Sequence, residues 1–207
     1  MGGKIAPQDA PVDNDPARRG MFSKRSFLFL TLALAACSPP PPPASSVGGP
    51  FTLVDQTGRT VDQSILNGKW SAIFFGFTYC PDICPATLQV LAEAKAKLGT
   101  KADKLQVVLV SVDPERDTPS LLKTYLDNPA FPPGTIGLTG SPEQVAAAAK
   151  AYKVFYEKAG TGEDYLINHV SIVYLMDPKG RFSRPIAHGT SPDETARIIS
   201  EAMKAGG

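Results

Sequence analysis

From Phe51 onward, the period of the apolar positions switches repeatedly along the chain. Trp70-Ser-Ala-Ile-Phe-Phe-Gly-Phe77 and Leu105-Gln-Val-Val-Leu-Val-Ser111 are nearly continuous apolar runs. That is the pattern of strands buried on both faces. Val170-Ser-Ile-Val-Tyr-Leu-Met-Asp177 predicts a third core strand, with Met176 as a core residue. Between these runs the spacing becomes helical. Pro85 to Leu98 carries Leu88, Leu91 and Ala92 on one face, with Pro85 suited to a first turn and Gly99 to a stop. Thr118 to Leu126 predicts a second helix, and Ser141-Pro-Glu-Gln opens a third through Ala151. Ser191-Pro-Asp-Glu opens a last helix to about Lys204. Thr135 to Thr139 is a short strand. Two hairpins complete the pattern. One joins Phe51–Asp55 to Arg59–Val61 through Gln56-Thr-Gly58, and the other joins the third core strand to Phe182–Ala187 through Pro178-Lys-Gly180. The order predicts an α/β fold, a central mixed sheet flanked by helices with an added N-terminal β-hairpin.

The first fifty residues follow another logic. Met21 to Cys37 has the build of an export signal, with Lys24 and Arg25 ahead of a short apolar run from Ser26 to Leu34. The run is too short for an ordinary membrane-spanning helix. Leu34-Ala-Ala-Cys37 resembles a bacterial lipobox, which makes Cys37 the expected lipid attachment site; an ordinary signal peptide is the alternative. Ser23-Lys-Arg-Ser-Phe-Leu loosely resembles a twin-arginine motif, although Sec export is the plainer reading. Residues 1–20 read as an upstream extension, and residues 38–50 as a Pro-rich linker that favours an extended spacer. The expected location is the periplasmic face of a membrane, with residues 51–207 as the folded domain.

Composition narrows the function. The chain of 207 residues has a net charge of +1. Of its 21 basic and 20 acidic residues, five and three lie in residues 1–37, so the domain has no basic surplus and nucleic acid is not an expected partner. Three cysteines are too few for a disulfide scaffold. With Cys37 set aside, one close pair remains, Cys80-Pro-Asp-Ile-Cys84, between the first buried strand and its helix. A dithiol there is the thioredoxin-like arrangement. The helix N-terminus lowers thiol pKa, so thiolates become accessible. Three readings stay open for the pair: a structural disulfide, a redox dithiol that exchanges with partners, and a soft-metal site.

The chain has two histidines. His169 stands at the entrance of the third core strand, near where a thioredoxin carries its cis-proline; here no proline occurs between Pro142 and Pro178. His169 beside the thiols favours the metal reading over a purely structural one. His188 reads as a loop or capping residue before the last helix. Asp113 and Asp117 follow the second buried strand and read as turn and cap residues, with Asp113 the candidate to support the metal ligands from behind.

Three motifs carry a resemblance. Phe75-Gly-Phe-Thr-Tyr-Cys80-Pro-Asp-Ile-Cys84-Pro, Ser111-Val-Asp-Pro-Glu-Arg-Asp-Thr-Pro119, and Asn168-His169 with Tyr174-Leu-Met-Asp-Pro178 resemble the Sco/SenC family across Phe51 to Lys204. The resemblance implies a thioredoxin-like copper chaperone binding Cu(I) and Cu(II), with Cys80, Cys84 and His169 as ligands. It further implies service to the copper A centre of cytochrome c oxidase subunit II. A periplasmic copper donor or thiol reductant would be a further partner. Thiol-disulfide oxidoreductase activity on the oxidase's cysteines, with Cys80 and Cys84 catalytic, is the alternative. Many relatives carry Asp before this histidine and Ser or Thr after it, where this chain has Asn168 and Val170.

Overall fold

The computed structural model describes residues 47–162 and 164–206. The upstream extension, the signal segment with Cys37, and most of the linker lie outside the described residues. Strands β1 (Thr52–Asp55) and β2 (Thr60–Asp62) form the first hairpin. β3 (Trp70–Gly76) leads through the thiol loop into α1 (Ile83–Lys97), and β4 (Leu105–Ser111) leads into α2 (Pro119–Leu126). β5 (Ile136–Thr139) and α3 (Pro142–Ala151) follow. Next come β6 (Tyr156–Ala159), β7 (Leu166–His169), β8 (Ile172–Met176), β9 (Phe182–Ala187) and α4 (Pro192–Ala205).

Seven strands make one sheet in the order β2-β1-β5-β4-β3-β8-β9. β3, β4 and β5 run parallel, while β1 and β8 pair antiparallel with their neighbours, so the sheet is mixed. The continuous apolar run of β3 is buried at every position. Its alternate residues feed two cores. Phe75 and Ile73 join Val108, Val110, Leu138, Val145 and Tyr152 on the α3 side. Phe74 and Ala72 join Leu88, Leu91, Val107, Leu122 and Ile199 on the side of α1, α2 and α4.

The helix starts follow local chemistry. Thr118, Ser141 and Ser191 each accept a hydrogen bond from a backbone N–H in the first turn, and each is followed by proline. Ser141 and Gln144 form a reciprocal capping box. α1 begins at Ile83, two residues before the start expected from Pro85, which puts Cys84 inside the first turn. Proline is tolerated there because the first-turn N–H groups have no partner within the helix.

β6 and β7 form a separate two-stranded ladder that the apolar pattern did not predict. It is attached by Tyr165 and Ile167, which pack into the same core as Phe77. His169 is therefore the last residue of this ladder rather than the entrance of β8.

Phe75 is 1% exposed, and its ring meets Tyr152 and Tyr174 at centroid distances of 5.4 and 6.3 Å. Phe75→Ala is expected to cost about 3–5 kcal/mol of unfolding free energy, read from the urea midpoint.

Candidate metal centre

The end of β3 cannot carry side chains freely. A Cβ built on Gly76 would lie 2.6 Å from the Cys84 sulfur, so the main chain itself forms the floor under that thiol. Beyond Phe77 the chain turns sharply, with the Cys80 N–H donating to the Phe77 carbonyl at 3.2 Å. The turn brings the Cys80 sulfur over the start of α1, where the Cys84 N–H donates to it at 3.4 Å. Cys84 is buried and Cys80 half-buried, and both are free thiols.

The two thiols are unequal. A hydrogen bond from the Cys84 thiol is the main influence holding the Cys80 pKa well below the usual thiol range. Burial opposes this, and His169 with the N–H groups of Cys84 and Asp82 reinforces it. The same hydrogen bond, together with burial and the charge on Cys80, pushes the Cys84 pKa far up. The shared hydrogen bond therefore favours the thiolate at Cys80 and the protonated form at Cys84. A metal ion seated against both sulfurs replaces that proton.

The third donor comes from the small ladder. The facing atoms of Cys80, Cys84 and His169 lie within 4.8 Å of one another. The His169 ring stands edge-on to Phe77 at 5.9 Å and 81°. Its Nδ1 is 3.1 Å from the Val170 carbonyl oxygen. A carbonyl only accepts, so a hydrogen bond here has Nδ1 as its donor, and a neutral ring in that tautomer keeps the Nε2 lone pair for a metal. Two sulfurs and one imidazole nitrogen form a soft donor set that suits copper or zinc.

Two buried aspartates on the β4–α2 loop hold the parts in place. Asp117 is fully buried. It accepts from the Thr78 N–H at 3.1 Å, the Thr78 hydroxyl at 2.6 Å and the Ser111 hydroxyl at 2.6 Å. Burial raises its pKa, against the pull of those donors. It therefore anchors the loop two residues ahead of Cys80. Asp113 reaches the other arm, accepting from the Tyr165 hydroxyl and from Arg116 Nε, each at 2.5 Å. Tyr165 lies four residues ahead of His169 on the chain.

The three residues expected as ligands converge. Asp113 contacts the histidine-bearing segment through Tyr165 and does not belong to the donor cluster. His188 lies across an apolar cleft that it lines together with Cys84, His169, Thr87 and Val173. Sequence reasoning missed Gly76, and it read Asp117 as a cap. A glycine in the middle of a buried strand signals close approach by another group. Nothing local marks Asp117, because its partners are 39 and 6 residues away.

A family model described as SCO1/SenC matches residues 39–204. "Protein SCO1 homolog 1, mitochondrial" from Arabidopsis thaliana is 44% identical over 141 residues, 67% of this chain and 41% of that protein, so this chain spans under half of that relative's length. The structure of Bradyrhizobium japonicum ScoI with copper bound superposes with a TM-score of 0.69 at 41% identity, covering 76% of this chain and 99% of that one. A structure reported as identifying a disulfide switch in BsSco, "a member of the Sco family of cytochrome c oxidase assembly proteins", matches with a TM-score of 0.60 at 28% identity. It covers 78% of this chain and 94% of that one.

Gly76→Ala is expected to displace the Cys84 sulfur, weakening metal binding at least tenfold and destabilising the domain by roughly 1–3 kcal/mol. Isothermal titration and urea unfolding measure the two effects. Reduced protein should alkylate at Cys80 with a rate nearly flat across neutral and mildly acidic pH. Cys84→Ala removes the stabilising hydrogen bond, so the Cys80 rate should then fall as pH drops through the ordinary thiol range.

Proposed function

We propose that this chain, which belongs to the SCO1/SenC family, binds copper through Cys80, Cys84 and His169 and serves the assembly of cytochrome c oxidase. The observation that carries the reading is the convergence of the three donor atoms within 4.8 Å, from two segments 85 residues apart, Cys84 and His169. Three soft donors suit Cu(I) in three-coordinate geometry and leave room for a weak further ligand on Cu(II). Copper here is cargo. The target is the copper A centre of oxidase subunit II, to which the chain delivers the ion or whose thiols it prepares. A periplasmic copper donor or thiol reductant completes the exchange. Lipid attachment at Cys37 and the proline-rich linker would hold the domain at the periplasmic face of the membrane. No helix among the described residues is long and apolar enough to cross one.

The unequal thiols favour a second use of the same pair. The Cys80 thiolate attacks one sulfur of a partner disulfide and releases the other as a thiolate. Cys84 then gives up its proton and closes the Cys80–Cys84 disulfide, and the partner's two released thiolates take up that proton and one from water to become a dithiol. Each two-electron reduction of a partner removes both sulfur donors, so copper loading and reductase action exclude each other.

His169→Ala is expected to lose Cu(II) affinity by at least tenfold, with an altered sulfur-to-copper charge-transfer band, while retaining disulfide reduction. Copper titration followed by absorbance measures the first effect, and turnover on a model disulfide the second. Parent-like copper binding by this variant would remove the imidazole from the assignment.

A further inference from the structure

The donor set comes from two segments that leave the main sheet at neighbouring strands, β3 and β8, where Phe74 pairs with Val173. Cys80 and Cys84 follow β3, while His169 ends the separate β6–β7 ladder. Side chains add to that backbone pairing: Phe77 meets the His169 ring directly, and Arg116 also touches both arms. Arg116 lies on the β4–α2 loop with its guanidinium carbon 4.6 Å from the centroid of the Tyr79 ring and 3.6 Å from that of Tyr165. Tyr79 is the immediate neighbour of Cys80. Tyr165 enters the strand that ends at His169. Arg116 Nε also donates to Asp113 Oδ2, whose other oxygen accepts from the Tyr165 hydroxyl.

We infer that Arg116 is a positioning residue that sets the separation of the Cys80 sulfur from the His169 imidazole. It does so by bridging the Tyr79 and Tyr165 rings while Asp113 fixes its orientation. The guanidinium is planar and stacks on aromatic faces, so one side chain bears on both rings; an ammonium is a compact, strongly hydrated charge that cannot do so in the same way. The Arg116 side chain is 15% exposed and Asp113 2%, which keeps water from competing for these contacts. Tyr79 is 55% exposed, with the Arg116 guanidinium over its ring. A second cation supports the same ring from the ladder itself. Lys158 Nζ, on β6, is 3.7 Å from the Tyr165 centroid and bonds Glu115 at 3.0 Å. The inference rests on the copper reading for its metal readouts alone, since the bridge between the two arms exists without metal.

The test compares parent, Arg116→Met, Arg116→Lys and Tyr79→Leu proteins. In the metal-free state, amide hydrogen exchange across residues 156–169 should speed by about tenfold in both Arg116 variants, with β3 and β4 amides unchanged. In the copper-loaded state, the sulfur-to-copper charge-transfer band should shift, and copper should transfer to a chelator about tenfold faster. Arg116→Lys keeps the charge and should fail to restore either readout. Tyr79→Leu, altered at an exposed position, should show the same copper effects in weaker form, and it carries the test if Arg116→Met does not fold. Full rescue by lysine would overturn the inference. So would parent-like exchange and transfer rates in the variants, or loss of protection spread equally over β3 and β4. If the parent itself lacks a sulfur-to-copper band, the copper reading fails, and the metal-free exchange data alone decide the role of Arg116.

Discussion

The site depends on a buried carboxylate that turns two strand ends into one platform. β3 and β4 run side by side to the pair Gly76 and Ser111, and the Val112 N–H donates to the Gly76 carbonyl just beyond it. At that point the backbone ladder ends and side chains take over. Asp117 gathers the Ser111 hydroxyl from one strand end and both donors of Thr78 from the other. A buried polar group without its partner costs about 1–3 kcal/mol, so the thiol loop has one favourable path out of the sheet. That path puts Cys80 back over the first turn of α1. Asp113, four residues earlier on the same loop, extends the arrangement to Tyr165 and hence to the segment that ends in His169.

The chemistry of the pair follows from where that path leaves the sulfurs. The Cys84 thiol, packed against bare main chain at Gly76, donates toward Cys80, and that hydrogen bond lowers the Cys80 pKa while raising that of Cys84. A structural disulfide would erase this difference, and both thiols are free in the structure. The imidazole adds a borderline nitrogen, with Nδ1 in hydrogen-bond reach of the Val170 carbonyl. The three donors already face one another, so in the copper-binding reading little would have to be reordered on binding.

Much of this was readable from the residues. The double-sided burial of β3 and β4, the three Ser or Thr caps followed by proline, and the dithiol at a strand-to-helix junction are local signals, and the structure contains each of them. The alternation of elements implied a central mixed sheet and an added hairpin, and the structure joins that hairpin to the sheet as its edge. The β6–β7 ladder was not readable. Tyr-Glu-Lys-Ala and Leu-Ile-Asn-His show too little alternation to declare a strand, and their pairing is held by burial of Tyr165 and Ile167 against a core assembled from elsewhere. Asp117 was misjudged for the same reason. Its role is a set of long-range hydrogen bonds, and a single aspartate ahead of Thr-Pro looks locally like any other helix entry.

The small ladder gives the site a stability separate from that of the fold. Four residue pairs in a two-stranded sheet are marginal on their own. The imidazole therefore rides on a module whose order is borrowed from Tyr165, Ile167 and the neighbouring loop. A short ladder of this kind opens locally at lower free energy than a seven-stranded sheet when its packing contacts are lost. Opening of the ladder alone would disperse the three donors while leaving the core intact.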